Sequence, residues 1–166
     1  LKPSTMKRIG HAMWYYLIGW HYRHEFPRYR HHKSFSPWYE ARCWVRAYWR
    51  KQLYKVTQRK VLPRLMNELD QRYYLAVLQV YNDSQIRNHS NYNDVRDYIN
   101  EVMYSFSRKA PKESYLVIKH HPMDRGHRLY RPLIKRLSKE YGLGERVIYV
   151  HDLPMPELLR HAKAVV

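Results

Sequence analysis

The first third of the chain carries apolar residues at three- and four-residue steps, the spacing that places them on one face of a helix. This pattern predicts one helix from Met6 to Arg23 and a second from Pro37 to about Lys60. Ser36 is a natural cap for the second helix, because its hydroxyl can accept from an N–H group of the first turn. Between the helices, residues 25–34 form a basic, His-rich connection, and Pro63 is expected to break the helical pattern near the end of this segment.

After Asp70 the pattern changes to alternating strand-like and helical segments. Tyr73 to Val80 is a nearly continuous apolar run, which is typical of a strand buried on both faces of a sheet. The later predicted strands are Tyr115 to Ile118, Arg146 to Val150 and Ala164 to Val166. The predicted helices are Asn93 or Asp94 to Lys109, His127 to Tyr141 and Pro156 to Ala162, with Leu129, Leu133, Ile134 and Leu137 facing inward in the second. Gly142 is expected to end that helix in a left-handed conformation.

The order βαβαβαβ predicts an α/β fold with a Rossmann-like parallel sheet and right-handed crossovers. In such open sheets, ligands bind at the carboxyl ends of the strands. The loops that directly follow the strands are therefore the first place to look for chemistry.

The charge distribution divides the chain into two parts. The formal net charge is +17, and the first 64 residues hold 15 Lys and Arg against two acidic residues (+13). All five tryptophans lie in the same stretch. We therefore predict a basic, Trp/Tyr-rich helical segment over residues 1–70 and a truncated α/β domain over residues 71–166. Both ends of the sequence, Leu1 and the apolar run 164–166, look cut.

Three loops after predicted strands are polar, and the topology is expected to bring them together. The residues in and beside them are Asn82, Asp83, Ser84 and Gln85 after the first strand, Lys119, His120, His121, Pro122, Asp124, Arg125 and Gly126 after the second, and His151 and Asp152 after the third.

The second loop has the composition of a phosphate site. Cationic and hydrogen-bonding side chains accumulate there, and Gly126 would let the backbone approach a ligand just before the next helix begins. Pro122 biases His121 toward an extended backbone, so the imidazole is held in place. A positioned histidine can donate a proton to a departing phosphate. The alternative is that these histidines are simply solvated residues of a surface loop.

Other chemistries have weaker support in the sequence. Adjacent histidines rarely ligate one ion together, and no HExxH or Cys/His framework accompanies them, so we expect no metal. Neither a P-loop nor a GxGxxG motif follows any strand, which disfavours ATP and nicotinamide cofactors. Ser84 has no G-x-S-x-G elbow around it and is better explained as a loop residue. No stretch reaches the roughly 18 apolar residues of a membrane span.

Three ordered motifs carry a resemblance to a known family. They are LQVYNDSQIRNHS (residues 78–90), LVIKHHPMDRG (residues 116–126) and RVIYVHDLPMPELLRHAKAVV (residues 146–166), with a looser upstream match in FPRYRHH (residues 26–32). Together they resemble the capsular polysaccharide biosynthesis and export family, and within it the β-Kdo glycosyltransferases.

This resemblance implies the C-terminal, donor-binding domain of a GT-B glycosyltransferase that transfers Kdo from CMP-Kdo to a phosphatidylglycerol-type lipid. It makes His121-Pro122 the HP motif, in which the histidine contacts the CMP phosphate and assists its departure. The polar loops after the other two strands would line the same cleft. No cofactor beyond the CMP-sugar donor is implied. The implied location is cytoplasmic and peripheral, on the inner face of the bacterial inner membrane, with possible capsule export and assembly proteins as partners.

The sequence departs from the family pattern in two respects. The acidic-glycine motif that should supply the catalytic base is absent, and so is the Asn-Ser-Thr stretch expected just beyond Val166. We therefore expect this fragment alone to be inactive.

Three further interpretations concern the basic segment and the overall function. Its Arg, Lys, Trp and Tyr residues could rest on an anionic membrane where the lipid acceptor lies, or its tryptophans could pack against another domain. The same composition is compatible with an RNA-binding module, although a nucleic-acid partner is disfavoured. A capsule-assembly scaffold without chemistry is the third possibility.

Overall fold

The computed structural model describes residues 5–25, 27–28, 36–81, 92 and 94–166. The chain forms two compact units, Leu1–Arg46 and Ala47–Val166. The division falls inside a helix, and the domain boundary placed between residues 70 and 71 stays a prediction.

The first unit is built from helix α1, Thr5–His21, a short 3-10 turn, Tyr22–His24, and the first half of helix α2, Pro37–Thr57. Both helices were predicted. The cap of α2 is confirmed, because the Ser36 hydroxyl accepts a hydrogen bond from the Tyr39 amide at 3.4 Å. Most of the connection over residues 25–34 lies outside the described residues. No helix in the described ranges is long and apolar enough to cross a membrane.

The helical break expected at Pro63 lies slightly earlier in the chain. Helix α2 ends at Thr57, and a further helix, α3, runs over Val61–Asn67 with Pro63 as its third residue. Proline is tolerated there because the first-turn N–H groups have no partner within the helix. The break is the turn over residues 58–60, and Pro63 lies inside a helix that the sequence pattern did not predict.

The second unit contains a four-stranded parallel sheet. Its strands are β1, Tyr73–Val77, β2, Tyr115–Lys119, β3, Val147–Val150, and β4, Ala164–Val165, arranged in the order β3-β2-β1-β4. The connecting helices are α4, Val95–Lys109, α5, Arg131–Glu140, and α6, Met155–His161. The predicted α/β, Rossmann-like class is confirmed, with strands and helices alternating as expected.

Both faces of the sheet are covered. Ala76 and Ile118 belong to a core that also contains residues of α4 and α5, whereas Leu75 and Val117 belong to a second core with residues of α3 and α6. Successive strand residues point to opposite faces, so a strand covered on both sides must be apolar throughout. This explains the continuous apolar run from which β1 was predicted.

Helix α4 begins where Asp94 was proposed as its cap. The Asp94 carboxylate accepts from the Arg96 amide at 2.9 Å, and Asp97 accepts from the Asp94 amide at 3.2 Å. This reciprocal capping box satisfies two N–H groups at the helix start. The alternative cap, Asn93, lies outside the described residues.

Helix α5 begins at Arg131, four residues later than predicted. The amides of His127 and Arg128 both donate to the Asp124 carbonyl, so the preceding residues form a turn that closes on Asp124. Leu129 is consequently 41% exposed, and its expected inward position is wrong. Ile134 and Leu137 are buried as expected, and Gly142 has the expected left-handed backbone with a φ of 64°.

Candidate functional site

The carboxyl end of β2 directs two polar residues into the protein interior. Lys119 is buried, and its Nζ donates to the His151 carbonyl at 3.0 Å. Burial lowers the pKa of Lys119, and the nearby Arg125 charge lowers it further. Lys119 therefore joins the end of β2 to the end of β3.

His120 follows Lys119 and is also buried. Its amide donates to the Val150 carbonyl at 2.8 Å, and its Nδ1 lies 2.6 Å from the Tyr149 hydroxyl. Burial lowers the pKa of His120 to about 4, the nearby backbone of Asp124 opposes this effect, and the charge of Arg125 adds to it. His120 is therefore a neutral residue at physiological pH, held in place by β3.

His151 lies beside His120, with 4.9 Å between the ring centroids. Its imidazole is stacked face to face on Tyr54 at 3.6 Å, and its amide donates to Gln58 Oε1 at 3.0 Å. Burial lowers the pKa of His151 to about 3, and the neighbouring His120 and arginines add to this effect. The Nε2 of His120 and both ring nitrogens of His151 are buried without a hydrogen-bond partner in the described part of the chain.

His121 lies in a different environment from its neighbour. It is only partly buried, its backbone is extended (φ −74°, ψ 128°), and it caps a 3-10 turn over Pro122–Asp124. The predicted extended conformation before Pro122 is therefore present. The His121 Nδ1 accepts from the Met123 amide at 3.2 Å. An acceptor nitrogen carries no hydrogen, so the neutral ring bears its proton on Nε2.

The rest of the loop after β2 is tied to other elements. Arg125 forms an ion pair with Asp152, and the Arg125 carbonyl accepts from Arg50 at 2.6 Å. Asp124 is buried, and its Oδ2 accepts from the Tyr81 amide at 2.8 Å. Because α5 begins only at Arg131, no helix starts directly after the buried Gly126, and the expected helix amino terminus is not part of this loop.

The structure therefore brings together two of the three predicted loops. Lys119, His120, Arg125, His151 and Asp152 form one connected group after β2 and β3. Asn82, Asp83, Ser84 and Gln85 lie outside the described residues. Tyr81, just before them, contacts the group through Asp124 and stacks on the His127 ring at 5.8 Å.

Sequence reasoning missed the contribution of helix α2. Arg50 and Tyr54 of α2, together with Gln58 just after its last residue, contact the loops after β2 and β3, and the three recur at four-residue steps, the spacing of one helical face. That spacing was visible in the sequence. It could not be distinguished from an ordinary solvated face without knowing what the helix packs against.

Metal ligation is not apparent from the geometry. Within the described ranges, no group of three or more His, Cys, Asp or Glu side chains could hold an ion. The expectation of a metal-free site stays a prediction.

Comparison with known proteins gives the site its context. The chain matches the family described as "Capsule polysaccharide biosynthesis protein" over residues 1–166. The Escherichia coli "Capsule polysaccharide export protein KpsS" is 98% identical over 166 residues, which are all of this chain and 43% of that protein.

Two strains of Neisseria meningitidis, of serogroups A and B, each have a "Capsule polysaccharide modification protein LipB" that is 35% identical over 156 residues. These matches cover 93% of this chain and 37% of each relative. The chain thus spans about two fifths of the length of these curated relatives. No solved structure matches it.

Proposed function

This chain belongs to the capsule polysaccharide biosynthesis protein family, and on that premise we propose that it forms the donor-binding part of a GT-B glycosyltransferase. The proposed reaction transfers Kdo from CMP-Kdo to a phosphatidylglycerol-type lipid. A role in capsule polysaccharide biosynthesis follows from the family and is independent of this finer assignment.

The observation that carries the proposal is the orientation of His121. Its Nδ1 accepts from the Met123 amide, so the neutral ring carries its hydrogen on Nε2, and the side chain is partly exposed at a strand end. Strand ends are where open parallel sheets bind ligands. A fixed N–H donor at that edge suits a phosphate oxygen that gains negative charge as it departs.

The charges around the loop support an anionic ligand. Arg50 and Arg125 both act, after burial, to lower the pKa of His120 and of His151. The same positive potential that disfavours a charged imidazole favours a phosphate. Lys119 adds a third basic group, although its Nζ is directed to the His151 carbonyl.

In the proposed step, a hydroxyl of the acceptor attacks the anomeric carbon of Kdo, and the bond from that carbon to the CMP phosphate oxygen breaks. The electron pair of the broken bond goes to CMP. The His121 Nε2–H donates a hydrogen bond to this oxygen and so stabilises it. The proton of the acceptor hydroxyl goes to a base outside this chain, because the acidic-glycine motif that should supply the base is absent from this sequence.

The proposed acceptor lies in an anionic membrane surface, on the cytoplasmic side. The first unit exposes large aromatic residues, among them Trp14 and Trp38, beside many basic ones. Aromatic rings and cations together favour the interface of an anionic bilayer. Capsule export and assembly proteins are the further partners we propose.

Substitution of His121 tests the catalytic assignment. In the full-length protein, His121→Ala should lower the turnover of CMP-Kdo by about 100-fold or more, since a positioned proton donor contributes roughly that much. Met123→Ala is the matched control, because Met123 is exposed in the same turn and contributes only its amide to His121. Unchanged turnover in His121→Ala would refute the proposed role of this residue.

A second experiment separates membrane from nucleic-acid binding. The full-length protein should float with phosphatidylglycerol vesicles, and added salt should release it. Retention of RNA that survives His121→Ala, without vesicle binding, would instead support the RNA-binding interpretation suggested by the +13 charge of the first 64 residues.

A further inference from the structure

Strand β3 lies at one edge of the described sheet, with β2 on its inner side. At its carboxyl end, the outward-facing backbone groups are paired by the side chain of Gln58. The Gln58 Oε1 accepts from the His151 amide at 3.0 Å, and its Nε2 donates to the Tyr149 carbonyl at 3.2 Å. A carboxamide carries the same donor and acceptor as a peptide group, so this one buried side chain replaces the next strand.

The two residues held by Gln58 are the same two that hold the end of β2. The Tyr149 hydroxyl contacts His120, and the His151 carbonyl accepts from Lys119. A displacement of Gln58 would therefore move Tyr149 and His151, and through them His120 and Lys119, which directly precede His121.

The neighbouring turns of α2 reinforce these contacts. Tyr54 covers the His151 ring, with the two planes only 5° apart, and Arg50 donates to the Arg125 carbonyl. The last turns of α2 and the residue that directly follows the helix thus contact the loops after both β2 and β3.

We propose that Gln58 is a positioning residue of the strand-end site, which acts through Tyr149 and His151 to fix Lys119, His120 and the His121-Pro122 loop. Tyr54 supports it by holding the His151 ring. This inference rests on the proposed function, because it assigns Gln58 a role in orienting the loop toward the donor phosphate.

The test compares Gln58→Met with Gln52→Met in the full-length protein. Methionine retains the length of the side chain but removes both hydrogen bonds. Gln52 lies in α2, shortly before Gln58, and makes no hydrogen bond to the strand ends in the described part of the chain. We expect Gln58→Met to lower kcat per folded molecule by about 10- to 100-fold with little change in KM for CMP-Kdo, because small displacements of reacting groups cost that much. Gln52→Met should match the wild type.

A purely structural cap would give another result. The yield of folded protein or the melting temperature would fall, whereas kcat per folded molecule would stay at the wild-type value, and this result would overturn the proposal. If Gln58→Met does not fold, Gln58→Glu is used, since it keeps an acceptor for the His151 amide but removes the donor to the Tyr149 carbonyl. Wild-type kcat in folded Gln58→Glu would equally count against the proposal.

A spectroscopic readout separates this inference from the proposed function. If the wild-type protein transfers no Kdo, the proposed function is wrong. The positioning role is then judged from the NMR signals of the His120 and His151 rings in histidine-labelled protein. Displacement of both signals in Gln58→Met, and of neither in Gln52→Met, would support positioning by Gln58. Unchanged signals in Gln58→Met would refute it.

Discussion

The two units of this chain both carry apolar residues at helical spacing but use them differently. In the second unit, Leu75, Val117 and Leu158 are completely buried between helices and a parallel sheet. In the first unit, large residues at helical spacing are mostly exposed, and Trp38 is 83% accessible. Apolar periodicity thus predicted helices in both units, but it did not tell whether their apolar faces would be covered.

A second contrast lies within the site itself. His120 and His121 are adjacent in sequence, yet one is buried and neutral while the other is partly exposed with a defined donor nitrogen. The difference follows from the strand end, where successive residues leave the sheet in different directions. Two adjacent histidines therefore have different chemical roles.

The largest expected effect is in the interior of the second unit. Leu75→Ala should lower the free energy of unfolding by about 2–5 kcal/mol, because it leaves a cavity in a strand that pairs with Val117 and Val165 on its two sides. Leu17→Ala, at a half-exposed position of α1, should change it by no more than about 0.5 kcal/mol. Urea unfolding measures both, and equal losses would contradict the contrast between the two units.

The next effect is a loss of stability in mild acid. The folded chain holds the pKa of His120 at about 4 and that of His151 at about 3, whereas an unfolded histidine titrates near roughly 6.5. The unfolded state therefore binds more protons across this window, so stability falls as the pH drops from 7 toward 4.

For each histidine, the expected loss between pH 7 and pH 5 is on the order of 2 kcal/mol. Urea midpoints at the two pH values measure it. The variant His120→Gln should show a smaller loss than the wild type, and an identical acid dependence in that variant would exclude His120 as a cause.

Removal of a helix cap should have an intermediate effect. Asp94→Ala deletes the acceptor for the Arg96 amide and breaks the capping box of α4. We expect a loss of about 1 kcal/mol, the usual value for such a cap. Asp94→Asn serves as the control because asparagine caps nearly as well, and its stability should stay close to that of the wild type in thermal unfolding.

The smallest effect on stability is expected in the exposed aromatic surface of the first unit. Trp14→Ala and Trp38→Ala should each change the free energy of unfolding by less than about 0.5 kcal/mol, since both side chains are largely accessible. Binding of the full-length protein to phosphatidylglycerol vesicles should nevertheless weaken in both variants. A large loss of stability without any change in vesicle binding would favour packing of these tryptophans against another domain.

The sequence by itself determined the alternation of strands and helices, the parallel Rossmann-like class and the helix caps at Ser36 and Asp94. These features depend on local chemistry: continuous apolar runs, helical spacing and side chains that accept from nearby amides. The same local rules predicted the extended backbone of His121 and the left-handed Gly142.

Only the tertiary structure decided which polar residues meet. The start of α5 was displaced because two amides close on the Asp124 carbonyl, and this also moved Leu129 to the surface. Arg50 reaches Arg125 across 75 residues of chain, Gln58 reaches His151 across 93, and Tyr54 also contacts His151. Contacts at such separations depend on how helices pack on the sheet, and the local pattern of a single sequence carries no signal for that packing.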